Sequence, residues 1–289
     1  MNTNDPLKDM REEREEQKND AIAQLNKFKN NKITLERPVF FVPGWTDESC
    51  QCWTADEENK DSVKTCLEGM CSNFNFAHFV NFEEESDSCD SFLDFGVFLK
   101  QKIEKLIGDK QDFDILGHSM GGLDTRAAVI QESPLLNINK CITVATPHWG
   151  DNFGGMDWFL RTKLKWLTNK MMGKRKYSKN NIQGRNLDPD YKPIKILNSI
   201  ENRKLFLECV QSLHLLSGTR DFCVKGSAIM DERGIESLYA KKVKKYPPIE
   251  GANHTGEIGI CKDPRTVVTI IKILLNIPLP EPDFNYGYV

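Results

Sequence analysis

A serine stands where this chain has to turn most sharply. In FDILGHSMGGLDTRAAVI, residues 113–130, the strand-like run of Phe113, Ile115 and Leu116 passes through Gly117, Gly121 and Gly122 into a segment with Leu123, Ala127, Ala128 and Ile130 at helical spacing. Ser119 therefore lies between a strand and a helix, the setting that a G-x-S-x-G nucleophile elbow requires. Such an elbow strains the backbone at the serine and exposes its hydroxyl, while Gly117 and Gly121 stand where a Cβ would collide with a neighbouring element. The helix that follows aims its N-terminal amides at the serine, where they favour developing negative charge. The chemistry this arrangement can do is nucleophilic attack on an electrophilic carbon.

A serine hydroxyl is a weak nucleophile until a base takes its proton, and the base needs an orienting acid. In a strand–elbow–helix setting the order along the chain is nucleophile, acid, histidine. The five histidines are His78, His118, His148, His214 and His254. His78 and His118 come too early, His214 sits inside an apolar strand-like run, and His148 follows a strand in ATPHWG. His254, in the Gly- and Asn-rich EGANHTGEIG just before a closing helix, is the expected base. For the acid, Asp221 fits best because the apolar LHLLSG runs directly into TRD; Glu250, close to His254 in sequence, is the alternative. An oxyanion needs two backbone N–H groups. Met120 offers one, and the VPGW loop offers the other, with Gly44 making the turn and Trp45 presenting its amide.

Elements must hold these residues in place. Val39–Val42 is a continuous apolar run of the kind that forms a parallel strand buried on both faces. Further strands are expected at 76–82, at FDILGHS, at KCITVATP and at 212–221, alternating with helices at about 89–107, after Ser119, at IENRKLFLECV and over the closing apolar segment. The expected class is α/β: a mostly parallel central sheet with helices on both faces. Residues 1–32 read as a charged helical extension whose apolar face is Ala21, Ile22, Leu25 and Phe28, and 33–289 as the main domain. Within it, 148–200 interrupts the alternation and reads as an inserted cap or lid. There Met156, Leu160, Leu164, Leu167 and Met171 form an apolar stripe widened by Phe159 and Trp166, in a basic stretch that includes Lys165, Lys174, Arg175, Lys176 and Lys179. A lid touching a lipid surface through residues 151–195 is one reading; core packing is the other.

The formal charge of −3 argues against nucleic acid as a partner. The longest apolar stretch, TVVTIIKILLNIPL, is too short to span a bilayer and carries Lys272 and Pro278. The N-terminus has no apolar leader core, so a cytoplasmic location is expected. Five of the nine cysteines (Cys50, Cys52, Cys66, Cys71 and Cys89) fall in the N-terminal third. They read as reduced thiols rather than as a disulfide or zinc knot, because C-x-C is not the C-x₂-C spacing of a zinc hairpin and only His78 lies near in sequence. No metal and no cofactor are expected for the chemistry, since a histidine activates the nucleophile.

Taken together, GHSMGG, the PGW loop after the first strand, TPHWG, GTRDFCV and GANHTG resemble the lipase and esterase branch of the α/β-hydrolase family. The resemblance is to bacterial triacylglycerol lipases and related acyl-ester hydrolases, including deacylases of lipid-linked inositol, and it covers about residues 37–276. It implies a Ser119–Asp221–His254 triad, oxyanion donors at Trp45 and Met120, and a supporting role for His148. The chain departs from the pattern at Pro43, where many lipases carry the histidine of a His-Gly pair. The resemblance further implies an acyl-ester substrate cleaved through an acyl-enzyme. Thioesterase or acyltransferase chemistry at the same triad is the alternative among enzymes, and a silent hydrolase fold used for binding is the alternative outside them.

Overall fold

A computed structural model describes residues 6–44, 51–54, 62–85, 89–108, 111–131, 137–150, 189–221, 238–254 and 259–279. Six described strands make one sheet in which every pairing is parallel, in the order β2-β1-β3-β4-β5-β6. They are β1 (Val39–Val42), β2 (Ala77–Phe79), β3 (Phe113–His118), β4 (Ile138–Val144), β5 (Val210–Leu216) and β6 (Val243–Lys245). β1 and β3 are buried at every position. β1 is an unbroken apolar run, as a strand covered on both faces requires, whereas β3 includes Asp114, whose carboxylate accepts from the Asn139 side chain and the Lys140 amide. The second strand is shorter than the 76–82 expected, and β6 went unread because Lys244 and Lys245 break its apolar signal.

The helices among the described residues are α1 (Pro6–Asn30), α2 (Val63–Met70), α3 (Phe92–Ile107), α4 (Met120–Val129), α5 (Lys192–Leu197), α6 (Ile200–Cys209) and α7 (Pro264–Leu274). Local chemistry sets several of their starts. Ser91 and Asp94 close a reciprocal capping box at α3, and Asp263 caps α7, with Pro264 at its first position. Two apolar cores lie on opposite faces of the sheet. One joins it to α3, α4, α5 and α6; the other joins it to α1, α2 and α7. α3 and α4 approach so closely that a Cβ on Gly96 would stand 2.5 Å from that of Ala127. α1 lies on the second core through Ala21 and Leu25, with Phe28 packed at its edge; Ile22, expected on that face, is instead exposed.

The strand order reverses between β1 and β3, since the chain leaves β1 toward one edge of the sheet and resumes at β3 on its other side. Open α/β sheets place their sites at the carboxyl ends of strands beside such a switch. Gly44 follows β1 and Ser119 follows β3, at that crevice. The apolar stripe and basic cluster expected of the cap lie within 151–188, outside the described residues.

Candidate active site

The backbone at Ser119 is strained: φ is 52° and ψ is −123°, a left-handed conformation that a residue other than glycine holds only when its surroundings impose it. Close packing imposes it. A Cβ on Gly117 would lie 2.5 Å from the amide nitrogen of Gly122, one on Gly121 would lie 2.4 Å from the Pro43 carbonyl oxygen, and one on Gly44 would lie 2.9 Å from the Ser119 Cβ. The Ser119 amide donates to the Val144 carbonyl at 2.9 Å, which fixes the elbow to β4. Met120 is the first residue of α4, so its N–H belongs to the first-turn amides that find no carbonyl inside the helix. Trp45 lies outside the described residues.

Residues far apart in sequence converge on this turn. Ser119 Oγ is 2.8 Å from His254 Nε2, and His254 Nδ1 is 2.8 Å from Asp221 Oδ2, so the three side chains form one hydrogen-bonded line. The Asp221 side chain is 2% exposed and that of His254 11%. Nδ1–H donates to the carboxylate, which leaves Nε2 as an acceptor for the serine hydroxyl. Burial holds the His254 pKa below the usual histidine value; the Asp221 hydrogen bond opposes this, and the nearby His118 ring reinforces it. The imidazole is therefore neutral, as a base must be.

Glu250, the alternative acid, faces elsewhere. Its carboxylate accepts from Arg14 of α1 at 3.0 Å, and its carbonyl accepts from Arg265 of α7 at 2.7 Å. Gly251, at φ 76°, lets the chain turn directly beneath the Arg14 guanidinium. Glu250 thus ties the base's loop to two helices.

His148 does not reach the triad. It is fully buried, its Nε2 is 3.1 Å from the Thr143 hydroxyl, and burial together with Arg126 holds its pKa well below the usual value. Its carbonyl is a junction, accepting from Arg126 at 2.9 Å and from the Asn198 side chain at 3.0 Å. Arg126, 1% exposed on the helix that begins at the elbow, also donates to the Leu197 carbonyl and the Asn198 side-chain oxygen. It clamps the segment after β4 and the end of α5 to α4, and nothing in its sequence setting marks it out. Beside His254, whose ring centroid is 5.0 Å from that of His118, Cys52, His118 and Cys261 converge, with one potential ligand atom from each lying within 4.8 Å of the others.

Residues 34–242 match the model of the PGAP1-like alpha/beta domain. Among solved structures, the mature lipase BlEst2 of Bacillus licheniformis aligns with 86% of this chain and 95% of its own, with a TM-score of 0.51 and 17% identity. The phospholipase PlaB of Legionella pneumophila aligns with 86% of this chain and 61% of its own, with a TM-score of 0.51 and 14% identity. Both likenesses are of fold, and the fold is that of the α/β-hydrolases. No curated protein matches the chain by sequence.

Proposed function

The chain belongs to the PGAP1-like alpha/beta domain family, and from that premise we propose that it is a serine hydrolase cleaving carboxylic esters of lipid or other acyl substrates. The observation that carries the reading is the line of 2.8 Å hydrogen bonds from Ser119 through His254 to a buried Asp221, ending at a serine held in a strained elbow. Ser119 Oγ attacks the ester carbonyl carbon while His254 Nε2 takes its proton, and Asp221 stabilises the imidazolium that forms. The oxyanion lies at the N-terminus of α4, against the Met120 amide and, as expected from sequence, that of Trp45. Collapse breaks the bond to the alcohol, which leaves with the proton from His254. Water then repeats the sequence on the acyl-Ser119 ester, releasing the carboxylic acid and restoring the hydroxyl.

The neutral imidazole supports this reading, because a protonated one could not accept the serine proton at neutral pH. An acyl carrier thioester or an acceptor alcohol in place of water would use the same groups. Contact of residues 151–195 with a lipid surface belongs to the same proposal and rests on sequence alone.

Labelling with a fluorophosphonate, paired with hydrolysis of p-nitrophenyl esters of graded chain length, tests it. The unaltered chain should be labelled at Ser119 and should hydrolyse at least part of the series. Ser119→Ala should lose both while melting at the same temperature. Hydrolysis retained by that variant would overturn the mechanism, and an unlabelled wild type would point to a fold kept for binding.

A further inference from the structure

Three of the segments that frame the active site, those after β1, at the end of β3 and after the His254 loop, meet a second time beside it. A single 3-10 turn, Gln51–Trp53, comes from the connection that follows β1. His118 ends β3 immediately before Ser119, and a second 3-10 turn, Ile260–Lys262, follows the loop that holds His254. Each segment brings one metal-binding side chain, and the Cys52 sulphur, a ring nitrogen of His118 and the Cys261 sulphur all lie within 4.8 Å of one another. His118 and Cys261 are each 3% exposed, and Cys52 is half-buried. The fully buried Trp53 pins the first turn: its indole N–H donates to the Val42 carbonyl at 3.3 Å, and its ring stands edge-on to His118.

The His118 ring is also oriented. Nε2 faces the backbone carbonyl of His254 at 3.2 Å, and a carbonyl only accepts, so Nε2 carries the proton and the neutral ring keeps its lone pair on Nδ1. A hydrogen bond from one ring nitrogen to a carbonyl is how metal-binding histidines are held in tautomer and orientation.

We propose that Cys52, His118 and Cys261 form a binding site for a soft divalent ion of the zinc class, which ties the three active-site segments together. Two thiolates and an imidazole suit zinc and exclude calcium and magnesium, which take oxygen ligands. With Zn–S near 2.3 Å and Zn–N near 2.0 Å, tetrahedral geometry sets ligand atoms about 3.5–3.8 Å apart. Closing from 4.8 Å at most thus requires a movement of no more than about 1.3 Å, within reach of small side-chain rotations. Binding releases one proton from each thiol to solvent, while His118 keeps its Nε2 proton on the His254 carbonyl. A water completes four-coordination. The ion is structural and touches neither the ester nor Ser119. Through His118 it fixes the carbonyl of the residue that supplies the base, and through the two sulphurs it joins the turn after the first oxyanion segment to the turn after the base.

The site is independent of whether the protein hydrolyses esters, and its test reads metal directly. The full chain, expressed without a polyhistidine tag in zinc-supplemented medium and purified reduced and free of chelator, should contain one zinc per molecule by elemental analysis. Cys52→Ser and Cys261→Ser should each lose it, whereas Cys66→Ser, which alters a buried thiol outside the cluster, should retain it. Titrating cobalt(II) into the reduced, metal-stripped wild type should give thiolate charge-transfer and tetrahedral ligand-field absorption saturating at one equivalent. That measurement decides the matter even if a serine variant fails to fold. Substoichiometric zinc together with no cobalt absorption would overturn the proposal, as would a Cys52–Cys261 disulfide recovered in place of the metal.

Discussion

At Asp221 the assignment of the acid rests on one oxygen, Oδ2, 2.8 Å from His254 Nδ1. Asp221→Asn would present an amide that favours the wrong imidazole tautomer and cannot stabilise an imidazolium. Turnover of a p-nitrophenyl ester should fall by on the order of 10⁴. Glu250→Gln should change turnover little, because that carboxylate meets Arg14 instead; a reversal of the two effects would exchange the assignments. The depressed pKa of His254 places the acid limb of kcat/KM below pH 6.5, the usual histidine value, and a pH-rate profile of the free enzyme reads it. Ser119, Asp221 and His254 could be picked from the sequence because a required chain order left few candidates. The Cys52–His118–Cys261 cluster could not. Its members come from three distant segments with no local spacing between them, and chain order rules His118 out of the triad without suggesting another use.

Among the elements, α4 both begins at the nucleophile and carries the clamp that holds its surroundings. Arg126→Met would keep the side-chain volume but remove the donors to two buried carbonyls and to Asn198. Relief of the charge's desolvation offsets part of that loss. The stranded acceptors outweigh it at about 1–3 kcal/mol each, although Asn198 still donates to the His148 carbonyl. A net loss of about 2–4 kcal/mol is expected in urea unfolding, and a variant as stable as the parent would show the clamp to be dispensable. The alternation of apolar strands and helices was readable because parallel strands covered on both faces admit few polar residues. β6 was not, since its buried Val243 is followed by two lysines, and neither was the exposure of Ile22, which depends on how α1 rolls against α7 rather than on its periodicity.

For the whole molecule, buried histidines write a pH dependence into folding. His214, in the interior of β5 between Tyr246 and Ser212, has its pKa held down to about 3, by burial first and by Lys244 and Lys140 after it. Below pH 6.5 the unfolded chain takes up a proton there that the folded chain refuses, so stability is complete above that value and falls as the pH drops toward about 3. Between about pH 6 and 4, wild-type unfolding free energy should decline more steeply than that of His214→Gln, by about 1.4 kcal/mol per unit. Parallel slopes in the two proteins would remove His214 as the cause. The hydrogen bond between Ser119 and His254 closes a span of 135 residues. A ribosome adding about 5–20 residues per second finishes the serine's turn roughly 7 to 27 seconds before it reaches the imidazole. Throughout that interval the nascent chain displays an ordinary alcohol. The timing of synthesis itself keeps the nucleophile dormant until the rest of the sheet has been made.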